Sequence, residues 1–301
     1  MMYHVPVMLN ECIEGLSIRP DGTYVDVTFG GGGHSRAILA CLGEGGRLYA
    51  FDQDADALAN AIDDPRFKLI HENFRHIKAF LRLEGVRSVD GILADLGVSS
   101  HQFDVAERGF STRLEGELDL RMDRRQELTA RQLVNSAAEA DLARVLRLYG
   151  ELPNATQMAK AICRARAERE IVTTFDLREA VSRHLPRGAE NKWLAMLFQA
   201  LRIEVNGELD ALQALLRQGV ELLNPGGRMV VMSYHSLEDR IVKNFFRAGN
   251  FEGEVEKDFY GNPLAPLAPV VRKAVVASDE ELQRNPRSRS ARLRVAEKKE
   301  K

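Results

Sequence analysis

A run of four glycines at residues 30–33 constrains this chain more than any other feature, because it joins a β-like segment to a helix-like one. The β-like segment at 23–25 leads through Asp26 into the glycines, and the helix-like segment follows at 37–40. Glycine has no Cβ, so it tolerates positive φ and lets the backbone approach a ligand closely. A strand, a glycine turn and a helix N-terminus in this order indicate a ligand-binding turn of an α/β domain.

An acidic residue, Asp52, ends the next β-like segment, about twenty residues after the glycines. A carboxylate at this strand tip can accept hydrogen bonds from ribose hydroxyls. The alternatives to an S-adenosylmethionine (SAM) site are a plain tight turn and a nicotinamide dinucleotide site. His34 stands where the dinucleotide fingerprint requires a further glycine, and Asp26 precedes the run. SAM has no pyrophosphate, and an acid suits its ammonium-bearing end, so we favour SAM.

Strands alternate with helices after this turn. β-like segments at 67–70 and 89–96 are separated by a helix-like segment at 77–83, and a further helix is predicted at 55–62. The alternation predicts parallel βαβ units in a doubly wound, Rossmann-like α/β sheet. Ligands of such sheets lie at the carboxyl ends of the strands. Those ends carry residues 30–34, Asp52, Phe74 and Asp95.

The strand pattern stops at about residue 105 and returns after residue 206. Between these points the sequence predicts helices at 130–149, 157–169 and 174–184, followed by a long helix at 193–223. We therefore expect a helical substrate-recognition domain at 105–206, inserted into a sheet domain made of 1–104 and 207–301. Three later strands, at 228–233, 270–277 and 293–296, are expected to complete the sheet.

Composition narrows the classes of protein. The formal net charge of −2 excludes a globally basic nucleic-acid-binding protein, so any such surface must be local. Cys12, Cys41 and Cys163 lack metal-ligand spacing, which argues against both a disulfide framework and a zinc site. The first residues show no signal-peptide pattern, and no apolar run is long enough to span a bilayer. We expect a cytoplasmic protein with no metal ion and no membrane partner.

The segment that begins at Asp95 follows the fourth strand and carries the catalytic candidates. Methyl transfer from a sulfonium depends more on positioning than on strong base catalysis. The exocyclic amine of a nucleobase is a poor nucleophile because its lone pair is conjugated into the ring, and acceptors for its N–H groups localise that lone pair. Asp95 and Ser99 are acceptors of this kind, although each also fits a purely structural role in a turn. Gln102 follows closely enough to contact the adenine or the substrate.

Two groups of arginines suggest local contacts with RNA, one at the start of the insertion and one in the C-terminal segment. Arginine and neighbouring serine side chains both contact phosphate. Charged runs are more often solvated faces, but two groups flanking one crevice favour the RNA interpretation. The candidate RNA contacts are Arg108, Arg113, Arg287 and Arg289.

Several motifs follow one another along the chain in a characteristic order. They include Asp-x-Thr-Phe-Gly-x-Gly-Gly-His-Ser at 26–35, Asp-Leu-Gly-Val-Ser-Ser at 95–100 and Ser-Tyr-His-Ser-Leu-Glu-Asp-Arg at 233–240. Further matching motifs lie at 107–111, 118–123, 198–206 and 285–290. Together they resemble the bacterial 16S ribosomal RNA cytosine-N4 methyltransferases, the MraW or RsmH family, over nearly the whole chain.

The resemblance implies a class I SAM-dependent methyltransferase fold with an inserted helical domain. It also implies methylation of N4 of a decoding-centre cytidine in 16S ribosomal RNA of the small ribosomal subunit. Carried over by motif, the SAM contacts are Gly32, Gly33, His34, Asp52, Phe74, Asp95 and Gln102. Two positions depart from the family pattern: His101 replaces a common proline next to Gln102, and Gly31 occupies a variable position of the glycine loop.

Other functions stay open at this point. A DNA amino-methyltransferase would use the same amine chemistry, and a non-catalytic ribosome assembly factor would bind SAM without transferring its methyl group. A dehydrogenase would need a hydride-acceptor site that we do not find in the sequence. The oligomeric state is open between a monomer and a homodimer.

Overall fold

A computed structural model describes residues 6–300, which form two compact units. The sheet unit comprises the residues up to Gly97 and those from Leu209 onward, and the helical unit comprises Val98–Glu208. The sequence pattern predicts the insertion at 105–206. Whether the helical unit recognises substrate stays a prediction. Among the described residues, no helix combines the length and the apolar composition needed to cross a membrane.

The sheet unit contains seven strands in the order β3-β2-β1-β4-β5-β7-β6. The first five strands along the chain are parallel, and β7 is antiparallel to both of its neighbours. The predicted doubly wound α/β fold is therefore confirmed. The strands are β1 (Thr23–Asp26), β2 (Arg47–Asp52), β3 (Phe67–His71), β4 (Val89–Asp95), β5 (Leu223–Ser233), β6 (Leu267–Pro269) and β7 (Arg292–Lys298).

Helices cover the sheet and form the helical unit. They are α1 (Leu9–Leu16), α2 (Gly33–Cys41), α3 (Ile77–Leu83), α4 (Ser100–Asp104), α5 (Ala130–Ser136), α6 (Glu139–Leu148), α7 (Ala155–Glu168), α8 (Thr174–Val181), α9 (Glu190–Asn206), α10 (Glu208–Leu222), α11 (Ser236–Ala248) and α12 (Asp279–Arg284). Short 3₁₀ helices lie at Ala55–Asn60, Phe74–His76, Ala106–Arg108, Ser182–His184 and Pro286–Ser290.

Each unit has its own hydrophobic core. The central strand β4 buries Ile92, Leu93 and Ala94 completely, as expected for a parallel strand covered on both faces. In the helical unit, buried side chains such as Leu146 and Leu201 pack together within a separate cluster. The carboxyl ends of the five parallel strands all lie at the same edge of the sheet.

Two predicted helices are each interrupted. The helix predicted at 130–149 splits into α5 and α6, because Ala137 and Ala138 adopt extended backbone conformations. The helix predicted at 193–223 splits into α9 and α10 at Gly207, whose φ of 58° is the left-handed conformation that ends many helices. The apolar periodicity continues across both breaks, so it did not reveal them.

Two further predictions were wrong in detail. The helix predicted at 55–62 is a 3₁₀ helix, Ala55–Asn60, whose first turn is capped by the side chain of Asp54. The strand predicted at 270–277 is absent, and Val275 forms only an isolated bridge with Leu293. The chain bends outward at 270–273 and exposes Arg272 and Lys273 there. Bends and charged side chains of this kind protect an edge strand from pairing with other molecules.

A buried asparagine in α9 holds the irregular loop 118–123 of the helical unit. The Asn206 Oδ1 atom accepts the N–H of Met122 at 2.7 Å, and its Nδ2 donates to the carbonyl of Leu120 at 2.8 Å. Leu120 has a φ of 61°, a conformation that costs free energy for a residue other than glycine. The Asn206 side chain therefore stabilises a loop conformation that its own sequence does not favour.

We expect Asn206→Leu to lower the free energy of unfolding of the helical unit by roughly 2–4 kcal/mol, because it leaves buried backbone groups of Met122 and Leu120 unpaired. Asn191→Leu is the matched control, since Asn191 lies on the exposed face of the same helix. Urea unfolding, monitored by hydrogen exchange of the α9 backbone amides, measures the difference in unfolding free energy between the two variants. Equal stability of the two variants would contradict the structural role of Asn206.

Candidate active site

The glycine loop combines packed and open positions. A Cβ on Gly33 would lie 2.2 Å from the Cγ of Pro6, and a Cβ on Gly32 would lie 2.9 Å from the ring of Phe29. Around Gly30 and Gly31, in contrast, nothing lies within 4 Å of a Cβ position. Gly32 also has a φ of 74°, in the left-handed region. The loop is therefore packed against Phe29 and Pro6 at residues 32–33, and its backbone at residues 30–31 has open space beside it.

Asp26 accepts hydrogen bonds from residues on both sides of this loop. The hydroxyl of Ser35 donates to its Oδ2 at 2.7 Å, and the N–H of Thr28 donates to its Oδ1 at 3.1 Å. The residue is 1% exposed, and burial raises the pKa of its carboxyl group. Asp26 thus stabilises the start of α2 and does not face open space, unlike the cofactor-facing acid that its sequence position suggested.

Asp52, at the tip of β2, accepts one hydrogen bond on each carboxylate oxygen. The N–H of Gly30 donates to Oδ2 at 2.7 Å, and the N–H of Asp54 donates to Oδ1 at 2.8 Å. A carboxylate has about four acceptor positions, so each oxygen can accept a further hydrogen bond. Burial raises the pKa of Asp52 to about 6. The group is thus held next to the open part of the glycine loop.

Phe74 follows β3 and opens the 3₁₀ helix Phe74–His76. The side chain of Asn73 caps this helix by accepting the N–H of Arg75 at 2.9 Å. The Asn73 Nδ2 group also donates to the Oε1 of Gln53 at 2.6 Å, which ties the tips of β2 and β3 together. The half-buried Phe74 ring packs against the core of the sheet unit. Its position beside the Asp52 strand tip is the one predicted.

Asp95, at the tip of β4, lies between a tyrosine and a histidine. The hydroxyl of Tyr234 donates to its Oδ1 at 2.7 Å, and its Oδ2 lies 3.9 Å from the Nδ1 of His34. Its own N–H donates to the Oγ1 of Thr28 at 2.7 Å. The side chain is 23% exposed. Burial raises the pKa of Asp95 to about 6, and both His34 and Tyr234 oppose that rise.

Sequence analysis did not identify Tyr234, which is held by the first turn of α11. The N–H of Tyr234 donates to the Oε2 of the buried Glu238 at 2.9 Å. The Oε1 of Glu238 lies 3.2 Å from the Nε2 of His235, whose Nδ1 accepts the N–H of Glu238 at 3.4 Å. His235 thus occupies the N-cap position of α11. A tyrosine after a buried strand was the only signal.

His34 joins the glycine loop to the segment that precedes α1. Its ring is 5% exposed, and its Nε2 donates to the carbonyl of Val7 at 3.1 Å. The next residue, Met8, donates its N–H to the Oε1 of the buried Glu281 in α12 at 3.3 Å. His34 therefore connects Asp95 with residues 6–8, and these in turn contact the C-terminal part of the sheet unit.

Ser99 and Gln102 belong to the helical unit, where they cap α4. The Ser99 Oγ accepts the N–H of Gln102 at 3.2 Å, and the Gln102 Oε1 accepts the N–H of Ser99 at 3.1 Å. This reciprocal arrangement is a capping box. The structure thus gives both side chains a local role, and their predicted catalytic and cofactor-binding roles stay predictions.

The four arginines predicted to bind RNA differ in their surroundings. Arg108 is 1% exposed and donates to the carbonyls of Arg121 and Met122 at 3.1 and 3.2 Å. It is therefore a structural residue of the loop 118–123; its burial argues against the predicted contact with RNA, which stays a prediction. The other three predicted contacts, Arg113, Arg287 and Arg289, are exposed.

The electrostatics of Asp95 lead to a stability prediction. A pKa raised from 3.8 to about 6 costs roughly 3 kcal/mol of folding free energy once the carboxyl group is ionised. An asparagine side chain at this position would keep an oxygen for the Tyr234 hydroxyl without a charge. We therefore expect Asp95→Asn to stabilise the ligand-free protein by about 1–3 kcal/mol at pH 8, a gain that disappears as the pH falls to about 4.

Thermal unfolding of both proteins between pH 4 and pH 8 measures this difference. Asp63→Asn serves as the control, because Asp63 is exposed. A stabilisation of Asp95→Asn that does not change with pH would show that the charge of Asp95 is not its cause.

The sequence of this chain is similar to a family of known proteins. The model of the MraW methylase family matches residues 1–299. A relative from Flavobacterium johnsoniae, named Ribosomal RNA small subunit methyltransferase H, is 58% identical over 298 residues, which are 99% of this chain and 98% of that protein. A protein of the same name from Bacteroides thetaiotaomicron is 54% identical over 299 residues, 99% of this chain and 98% of its own.

Among solved structures, an rRNA methylase from Streptococcus thermophilus aligns with 100% of this chain and 99% of its own. Its 12% identity and TM-score of 0.43 make it too distant to inform the site. The match along residues 1–299 and the identity to curated relatives decide the classification. The chain belongs to the MraW methylase family.

Proposed function

We propose that this protein is a SAM-dependent methyltransferase that methylates N4 of a decoding-centre cytidine in the 16S ribosomal RNA of the small subunit. The family membership and the names of the relatives support the reaction class and the RNA. The observation that carries the proposal is the pair of carboxylates, Asp52 and Asp95, at the tips of β2 and β4. A cytoplasmic location is part of the proposal, since it fits a substrate in the ribosome.

The residues present fit SAM. Asp52 has acceptor positions left for the two ribose hydroxyls, and the open backbone at Gly30 and Gly31 leaves room for a ligand beside it. Asp95 and the buried Asp26 supply negative charge near the glycine loop, as a cationic ligand requires. When bound, SAM supplies an electrophilic methyl group on its sulfonium. The proposed contacts of this unit are Gly32, Gly33, His34, Asp52, Phe74 and Asp95.

Three of these residues, Gly32, Gly33 and His34, act indirectly. Gly32 and Gly33 are packed against Phe29 and Pro6, so they set the backbone path at 30–31. His34 is buried and holds Asp95 from one side. Phe74 offers a ring face beside the ribose-binding carboxylate. Gln102 is proposed as a further SAM contact on the family motif, and Ser99 as a catalytic residue on its position in the segment that follows β4.

Asp95 is proposed to act on the acceptor amine. Above pH 6 its carboxylate is ionised and would accept an N–H of the exocyclic amine, which would localise the lone pair of the nitrogen that receives the methyl group supplied by SAM. The same carboxylate then receives the proton that the methylated amine releases. Tyr234 keeps one carboxylate oxygen occupied and so fixes the orientation of the other. Positioning and a modest base therefore suffice for this reaction.

The reaction is tested by tritium transfer from labelled SAM to small ribosomal subunits that lack the modification, with nucleoside mass analysis of the product. We expect N4-methylcytidine, and a kcat lowered by about 10²–10⁴-fold in Asp95→Asn because an amide cannot take up the proton. Asp63→Asn should match the wild type. Transfer to duplex DNA instead would identify a DNA methyltransferase, and SAM binding without transfer to any acceptor would indicate a non-catalytic binding factor.

SAM affinity should depend on pH through the two strand-tip carboxylates. Their pKa values of about 6 mean that both are ionised at pH 7.5 and largely protonated at pH 5. We expect SAM to bind roughly tenfold more weakly at pH 5 for each carboxylate that binding requires. Calorimetric titration between pH 5 and pH 7.5 measures this loss. In Asp95→Asn the affinity should be lower at pH 7.5 and vary less with pH, whereas a constant affinity in the wild type would contradict the assignment.

A further inference from the structure

The C-terminal arginines lie at the edge of the sheet that carries the proposed site. The first residue of β7, Arg292, pairs with Ser233, the last residue of β5. Tyr234 follows Ser233 directly, and its hydroxyl contacts Asp95. The antiparallel register of β7 therefore brings the turn at 286–291, which carries Arg287 and Arg289, to the carboxyl edge of the sheet.

This turn is anchored by buried polar groups. Ser288 is fully buried, and its hydroxyl donates to the carbonyl of Asn285 at 2.6 Å. Asn285 is 5% exposed, and its Oδ1 accepts the N–H of Arg287 at 3.3 Å. Every third residue, at positions 285, 288 and 291, is thus buried, and the residues between them are exposed. Arg287 and Arg289 project from a fixed backbone, which lowers the entropy cost of binding a ligand through them.

Three neighbouring arginines lie close to carboxylates of the protein itself. Arg294 is 12% exposed and forms two hydrogen bonds with the carboxylate of Asp239, at 2.7 and 3.1 Å. Arg284 lies 3.4 Å from the buried Glu281. Arg292 is 58% exposed, and 3.8 Å separates it from the same Asp239. The segment 285–294 contains four arginines and no acidic residue; Asp239 from α11 lies beside Arg292 and Arg294, and Arg287 and Arg289 are exposed.

We propose that this arginine turn, residues 286–292, binds the phosphodiester backbone of the RNA beside the acceptor nucleotide. The proposal rests on the proposed function and names the surface of the sheet unit that receives the RNA. The guanidinium group offers a planar fork of donors that matches phosphate oxygens. Ordered arginines beside the site would fix the register of the RNA without reading its bases.

The test compares two double variants of equal charge. R287Q/R289Q removes two positive charges from the arginine turn, and R82Q/R87Q removes two exposed arginines from the other edge of the sheet. Arg87 lies just before the first residue of β4, and Arg82 lies in the last turn of α3. Binding of labelled, unmethylated small ribosomal subunits is measured across salt concentrations, together with SAM affinity and the kcat and KM of methyl transfer.

We expect R287Q/R289Q to bind small subunits roughly 10- to 30-fold more weakly near 0.1 M salt, and the slope of log affinity against log salt to fall by about 1–2. KM for the subunits should rise, while kcat and SAM affinity stay near the wild-type values. R82Q/R87Q should match the wild type. R287K/R289K should retain the salt slope, because lysine keeps the charge that releases counterions.

Different failures have different meanings. If R287Q/R289Q binds subunits as tightly as R82Q/R87Q while both methylate them, the proposed surface is wrong and the proposed function stands. If R287K/R289K loses the salt slope to the same extent as R287Q/R289Q although it keeps both charges, the arginines act through structure and the phosphate contact is wrong. If the wild type transfers no methyl group to any RNA, the proposed function itself fails.

Discussion

The structure depends on the burial of three carboxylates at the carboxyl ends of adjacent parallel strands. Asp26, Asp52 and Asp95 end β1, β2 and β4, and β1 pairs with both other strands. Their hydrogen bonds come from backbone N–H groups and hydroxyls, and no lysine or arginine among the described residues contacts them. The pKa values of all three are raised, chiefly because burial disfavours the charged form, and the charge of Asp26 adds to the rise at both Asp52 and Asp95. A bound cation would favour their ionised forms.

The charged strand tips lower the stability of the ligand-free protein but provide the negative charge that a cationic ligand needs. A sheet of this kind would be more stable with neutral groups at its strand tips, because ionised carboxylates are desolvated there. The residues that hold them, such as Ser35, Thr28 and Tyr234, offset part of that cost through hydrogen bonds. Sites that bind charged ligands commonly retain such unfavourable charge, since the ligand supplies the missing partner.

Much of the fold followed from pattern alone. The alternation of strands and helices predicted the doubly wound sheet, and the strand ends predicted where Asp52, Phe74 and Asp95 would lie. Helix breaks escaped prediction because Gly207 and Ala137 interrupt the backbone without interrupting the apolar period. Long-range partners escaped it too, since their contacts join residues far apart in sequence. Tyr234 reaches Asp95 across 139 positions, and charge alone could not distinguish the buried Arg108 from the exposed Arg287.

The contacts of the glycine loop with residues 6–8 also bear on how the protein is made. Pro6 packs on Gly33, Val7 accepts a hydrogen bond from His34, and Met8 is held by Glu281. Strand β7, which lies between β5 and β6, starts only at Arg292. During synthesis the contacts of Pro6 and Val7 with the glycine loop can form early, whereas the hydrogen bond of Met8 and the last strands of the sheet must wait for residues 267–298. The segment before α1 is therefore held from both sides only after the C-terminal part of the sheet unit has been made.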